Sequence, residues 1–216
     1  QGSQWEGMAR DLLAEDRVFR EALGRCGDAC REDLGRSILD LLEGDDISWL
    51  GEVDLVQPAL FAIQVALAER WRSLGVVPDA VVGHSMGEVA AAAVAGALPL
   101  EDAARVICRR SRLVRRLSGT GAMALAELSP GEAEEAIGPW PGRLAVAAEN
   151  GPRSTVIGGD PEAIAGLLAT LAGRGVFHRR VQVDYASHGP HVDALEGDLR
   201  AALAGLRPST PRIPIY

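Results

Sequence analysis

Apolar residues recur at helical spacing through the first half of the chain. Between about 8 and 43, Leu12, Leu13, Leu23, Leu34, Ile38 and Leu41 mark successive turns. Leu60, Ile63, Leu67, Trp71 and Leu74 form a second stripe, with Pro58 suited to the first turn and Gly75 to the end. The spacing therefore predicts a helix over 58–74. A short apolar run at 79–83 then reads as a strand, and the Ala-rich stretch 89–96 and the stretch 100–117 read as two further helices.

The pattern changes after about residue 120. Strands are predicted at 123–128, 144–148, 155–157 and 176–183, with an Asn150-Gly151 turn between the second and third. Helices are predicted at 130–137 and 161–172. That succession, β-α-β-β-α-β, is the split arrangement of a ferredoxin-like unit. The expected organisation is an α/β body built from 1–119 and 186–216, with an α+β unit at 120–185 inserted in it.

Composition narrows the partners. The 216 residues carry 22 basic and 30 acidic side chains, a formal net charge of −8, and every basic residue is Arg. Such an acidic chain argues against nucleic acid. The longest apolar run, 89–98, is broken by Gly96, so no membrane span is expected. Cys26, Cys30 and Cys108 are an odd number without a disulfide framework, which suits a reducing cytoplasm, and they lack the partners a metal site needs. No metal is expected. The chain opens at Gln1 without an initiator Met, and 213–216 reads as the start of a strand, so it is expected to be an excerpt of a longer polypeptide.

The residues that carry chemistry are few. Gly83-His84-Ser85-Met86-Gly87 lies between a predicted strand and a predicted helix, the setting of a nucleophile elbow. The sharp turn exposes Ser85 Oγ, and the Met86 amide at the helix start points to where an oxyanion would form. On the helix over 100–117, Arg105, Arg109, Arg112 and Arg116 form one stripe that reads as a solvated basic face. Arg110 instead shares the face of Val106, Leu113, Val114 and Leu117. A guanidinium placed there needs an anion, either an internal acid or an acidic substrate. Of the four His, His84 should turn away from Ser85 and His178 should be exposed. His188, where the chain returns to the body, is the candidate base for Ser85.

Together these stretches resemble the acyltransferase domain of modular polyketide synthases, in the malonyl-CoA:acyl-carrier-protein transacylase family. The resemblance rests on Gln1-Gly2-Ser3-Gln4-Trp5, Gly83-His84-Ser85-Met86-Gly87-Glu88, Arg110-Ser111-Arg112, Asn150-Gly151-Pro152 and Tyr185-Ala186-Ser187-His188, in family order. It implies an α/β-hydrolase-like body with a ferredoxin-like insert. It also implies an acylated Ser85, His188 as its base, Arg110 gripping the free carboxylate of an extender unit, and oxyanion donors at the amides of Gln1 and Met86. The implied reaction is ping-pong. An acyl group passes from a CoA thioester to Ser85, then to the phosphopantetheine thiol of an acyl carrier protein, with no bound cofactor. An adjacent ketosynthase domain and its linker are implied partners.

Selectivity is implied at Tyr185, Ser187, Met86, Val56 and Gln57. Tyr185-Ala186-Ser187-His188 resembles methylmalonyl-selecting domains, where malonyl domains show His-Ala-Phe-His; Ser in place of Phe leaves room for an α-methyl branch. The upstream stretch from Glu52 to Pro58 is similar to the same class, but Glu52 replaces its usual Arg and Met86 its frequent Gln. Flexible Met fits irregular pockets, so larger alkylmalonyl or starter acyl groups stay open. Two rivals stand beside this reading. One is a thioesterase using Asp160 or Asp184 to orient the His, and the other is a non-catalytic scaffold.

Overall fold

The computed structural model describes residues 4–216. It divides into two compact units, one formed by 4–115 and Leu199–Tyr216, the other by Arg116–Asp198. The smaller unit is wider at both ends than the 120–185 expected from sequence, and it takes in His188.

The larger unit is mainly helical. The predicted helical span 8–43 resolves into α1 (Arg10–Glu15), α2 (Arg17–Leu34) and α3 (Ile38–Glu43). The breaks have local causes. Asp16 caps α2 by accepting from the Phe19 amide at 2.8 Å, Gly35 takes a left-handed conformation, and Ser37 caps α3 by accepting from the Asp40 amide. The buried face also differs from the one read off the Leu pattern. Phe19, Leu23, Cys26 and Cys30 are buried, while Leu12 is exposed. Cys26, Cys30 and Cys108 are free and fully buried. Burial pushes the Cys26 thiol up to about 12, and a hydrogen bond with Cys108 together with burial raises Cys30, so these thiols serve as core residues.

Next come α4 (Val53–Ser73), α5 (Gly87–Ala95) and α6 (Leu100–Val114), followed by a 3-10 turn at Arg115–Leu117. Helix α4 begins five residues before the expected start, so Pro58 lies inside it. Proline has no N–H to donate to the Asp54 carbonyl. Burial of Val53, Leu55 and Val56 holds the extra turn in place against that loss. Helices α2, α4 and α6 pack on one another around Phe19, Phe61 and Ile107. The predicted strand at 79–83 is reduced to one parallel bridge between Val81 and Ile215. A strand needs a ladder along its length, and among the described residues the 213–216 segment supplies one rung.

The basic stripe of α6 is only partly solvated. Arg109 is half-buried and clips three segments, donating to both Asp33 oxygens at 2.9 and 3.1 Å and to the Ala202 carbonyl at 2.7 Å. Arg105 pairs with the buried Asp102 at 3.0 Å. Helical phase identifies the stripe but not the carboxylates that other segments bring to it.

The smaller unit follows the predicted order closely. It runs β1 (Ala122–Ala126), α7 (Pro130–Ile137), β2 (Leu144–Gly151), β3 (Ser154–Gly159), α8 (Pro161–Gly173) and β4 (His178–Arg180). The sheet order is β2-β3-β1-β4 with every pairing antiparallel, a ferredoxin-like arrangement. Ala122, Ala124 and Ala126 alternate along β1 and join Ile157, Ile164, Leu167 and Leu171 in the core. A capping box between Ser129 and Glu132 starts α7, and Asp160 caps α8. His178 is half-buried rather than exposed, its Nδ1 2.8 Å from the Val176 carbonyl. A final helix, α9, spans Glu196–Ala202. No helix among the described residues is long and apolar enough to cross a membrane.

Candidate active site

Ser85 sits in the turn that leads into α5, and it is one of two non-glycine residues with positive φ among the described residues, at 54°. A left-handed conformation is costly for serine and persists only where the surroundings impose it. They do so here through a chain of turn hydrogen bonds. Gly87 N–H donates to the His84 carbonyl, Glu88 N–H to the Ser85 carbonyl and Val89 N–H to the Met86 carbonyl, at 3.0 to 3.2 Å. Met86 is the N-cap of α5 and is buried, so its amide lies at the positive end of the helix.

The two glycines of the motif have different roles. A Cβ on Gly83 would lie 2.3 Å from Glu88 Cα and 2.5 Å from Glu88 N, so glycine lets the segment before the elbow pass against the helix start. A Cβ on Gly87 would meet nothing within 4 Å. Gly83→Ala is therefore expected to destabilise the protein by about 2 kcal/mol, roughly 6 °C in Tm. Gly87→Ala should leave the melting temperature unchanged or raise it. Thermal melts of the two variants check this contrast.

Arg110 lies half-buried on α6, and its Nη1 donates to Oε1 of Gln57 at 3.0 Å. Gln57 is only 2% exposed, on the turn of α4 that precedes Pro58. Its neighbour Val56 is equally buried. Family resemblance implies a selectivity role for Gln57; its hydrogen bond with Arg110, across 53 positions, has no sequence signal. At the head of α4, Glu52 and Asp54 pair with Arg115 at 3.2 and 2.7 Å. His84 is exposed and borders an apolar cavity of about 630 Å³ lined by Gln64, Trp71, Val82, Ala90 and Val94.

On the smaller unit, the segment carrying Tyr185, Ser187 and His188 approaches the end of the sheet. Tyr185 and Ala186 are buried, and Ser187 and His188 are half-buried. The approach is close: a Cβ on Gly121 would lie 2.4 Å from the Ala186 nitrogen. Gly121 is a supporting residue the sequence did not single out. The Ser187 hydroxyl donates to the Met123 sulfur at 3.2 Å. Asp184 accepts from Ser118 Oγ and from the Gly119 amide at 3.1 Å. Asp160 accepts from the Ala163 amide and from Arg143, and the two hold its carboxyl below the usual range. Gln1, the other expected oxyanion donor, lies outside the described residues.

An α/β protein with a strained serine elbow at the head of a helix is of the serine acyl-transfer and hydrolase class. The chain belongs to the acyl transferase domain family, whose model matches residues 1–216. It is 52% identical over 218 residues to the spectinabilin polyketide synthase system protein NorC of Streptomyces orinoci, covering all of this chain and 10% of that protein. Among solved structures it is similar to the acyltransferase domain from module 8 of the salinomycin polyketide synthase, with TM-score 0.95 and 46% identity, over 100% of this chain and 51% of that one. It is also similar to a loading acyltransferase from the avermectin modular polyketide synthase, with TM-score 0.96 and 45% identity, over 100% and 70%. The chain thus spans about a tenth of the curated relative and 51% and 70% of these two structures' length.

Proposed function

We infer that the chain loads an extender acyl group from coenzyme A onto the phosphopantetheine thiol of an acyl carrier protein during polyketide biosynthesis. The observation that carries this reading is the left-handed backbone of Ser85 at the entry to α5. A serine held that way is spent on presenting Oγ, not on packing.

In the proposed mechanism Ser85 Oγ attacks the thioester carbonyl while His188 takes its proton. The oxyanion is met by the Met86 amide, with Gln1 as the second donor implied by family resemblance. The C–S bond breaks and CoA leaves as the thiol, carrying the proton from His188. The carrier thiol then gives its proton to His188 and attacks the Ser85 ester, and Ser85 regains its proton as the new thioester forms. Arg110 holds the distal carboxylate throughout, and its fork matches that group.

Methylmalonyl is the proposed extender, supported by the small Ser187 beside a buried Tyr185. Likeness to a loading acyltransferase supports a second reading, a starter or larger alkylmalonyl group. A ketosynthase domain and linker in the same polypeptide are proposed partners, since relatives named as polyketide synthases are many times longer than this chain. The free thiols support a reducing, cytoplasmic setting.

The thioesterase rival requires an acid to orient the His. Asp160 is engaged as a helix cap and Asp184 in the 118–119 turn, which weighs against it. Feeding methylmalonyl-CoA with and without carrier protein tests the proposal. Acyl-carrier product is expected to form much faster than free acid, whereas rapid acid release that ignores the carrier would point to the esterase. Tyr185→His with Ser187→Phe is expected to move the methylmalonyl-to-malonyl ratio by about tenfold toward malonyl, the scale a single methyl permits. Competition with both CoA esters reads that ratio.

A further inference from the structure

We propose that Gly121 is a positioning residue: its missing side chain sets the height at which the backbone of Tyr185, Ala186, Ser187 and His188 crosses the sheet of the smaller unit. The proposal rests on the reading of His188 as the base and adds to it the residue that places its segment.

Alternation along β1 sends Ala122, Ala124 and Ala126 into the core under α7 and α8, so Gly121 and Met123 belong to the opposite face. The segment after β4 lies across that face. Met123 pairs in register with Gly158 of β3, and a Cβ on Gly158 would meet both Met123 Cγ and Ala186 Cβ at 3.5 Å. The Ser187 hydroxyl reaches the Met123 sulfur, and a Cβ on Gly189 would meet Ala145 Cβ of β2 at 3.4 Å. Those are ordinary packing distances. Gly121 differs: its Cβ would lie 2.4 Å from the Ala186 nitrogen, 3.0 Å from the Tyr185 carbonyl carbon and 3.1 Å from Ala186 Cβ. The nearest two are backbone atoms, which no change of rotamer can move aside. The Gly121 N–H also donates to the Asp184 carbonyl at 3.3 Å, so the two backbones touch directly.

A side chain at position 121 must displace one backbone or the other, and the bonding on each side decides which. Strand β1 is held along both edges, by β3 and by β4. The crossing segment is tied more lightly. The Asp184 carboxylate accepts from Ser118 Oγ and the Gly119 amide, and Val181 N–H donates to the Met123 carbonyl. The segment therefore yields. Ordinary contact requires a shift of about 1 Å, and a catalytic group misplaced on that scale costs up to about a hundredfold in rate. Tyr185, Ser187 and His188 move together, because one short stretch carries all three.

The test is single-turnover acylation of Ser85 in the full-length polypeptide, with methylmalonyl-CoA and no carrier. The rate constant reports how well the base is placed, and the final amplitude reports how much protein is competent. Gly121→Ala is expected to lower the rate constant at least about tenfold, with little change in the half-saturating ester concentration. Gly131→Ala in α7, where a Cβ would meet nothing within 4 Å, should match the wild type. His188→Ala is the reference and should be slower still. A wild-type rate constant in Gly121→Ala, whatever its amplitude, overturns the role of Gly121 and leaves the base standing if His188→Ala is slow. If His188→Ala is as fast as the wild type, the base itself is overturned and the role of Gly121 with it. Should Gly121→Ala not fold, two variants of Asp184 decide. Asp184→Ala releases the segment from the 118–119 turn and should slow acylation; Asp184→Asn keeps an acceptor for both donors and should restore it. An unchanged rate constant in the first, or an equal loss in the second, overturns the proposal.

Discussion

Ser85→Ala is expected to lower acyl transfer at least about a thousandfold and to abolish any covalent acyl-enzyme, with the fold intact. The size follows from the proposed chemistry. In a ping-pong route the hydroxyl is the acceptor of the first step and the donor of the second, so removing it closes both half-reactions. The substitution is mild structurally. Alanine removes one oxygen, and the turn is set by the backbone bonds from Gly87, Glu88 and Val89, which involve no side chain. Melting temperature should therefore hold, because alanine keeps the Cβ and the same left-handed backbone at this position. A stopped assay on the carrier, with circular dichroism as the folding control, reads both quantities. A variant that kept more than a tenth of the transfer would remove Ser85 from the mechanism.

Arg110→Ala is expected to cost acidic acyl groups about 3 kcal/mol, roughly a hundredfold in kcat/KM, and to spare propionyl-CoA. A carboxylate entering a half-buried site without its cation loses water and gains no partner, and that penalty makes the loss large. Propionyl-CoA carries no such group and should be nearly indifferent, or even improve relative to methylmalonyl-CoA. Rates with the two esters, taken at one ionic strength, give the ratio. Equal losses would mean that Arg110 supports the structure of α6 rather than the substrate.

Much of this molecule is legible in its residues, and the illegible parts have a common physical origin. The inserted unit reads well because its signals are local: alternating Ala in β1, Ser129 with Glu132 at the head of α7, Asp160 before Pro161. The turn expected at Asn150-Gly151 falls instead at 152–153, because both residues still lie in β2, with Gly151 paired to Ser154 of β3. The elbow reads well for the same reason, since Gly83, Ser85 and Gly87 lie within one turn. What escapes is set by distant partners. The strand over 79–83 has the right composition but finds one rung. The start of α4 is decided by burial of Val53 and Val56 against the preference of Pro58. Arg109 resembles its exposed neighbours on the helix wheel until Asp33 and Ala202 are brought to it. The Gln57–Arg110 bond and the tight passage at Gly121 belong to the same class.

The proposed chemistry reduces to an acidic acyl group resting on Ser85 between two thioesters. Mixing the full-length polypeptide with methylmalonyl-, malonyl- and propionyl-CoA in the absence of carrier, quenching in acid and mapping the acylated peptide by mass spectrometry examines that intermediate itself. The expected result is a methylmalonyl group on the peptide containing Ser85, in excess over both competitors and discharged when carrier protein is added before the quench. An unmodified Ser85 peptide, or one loaded chiefly with propionyl, would contradict it.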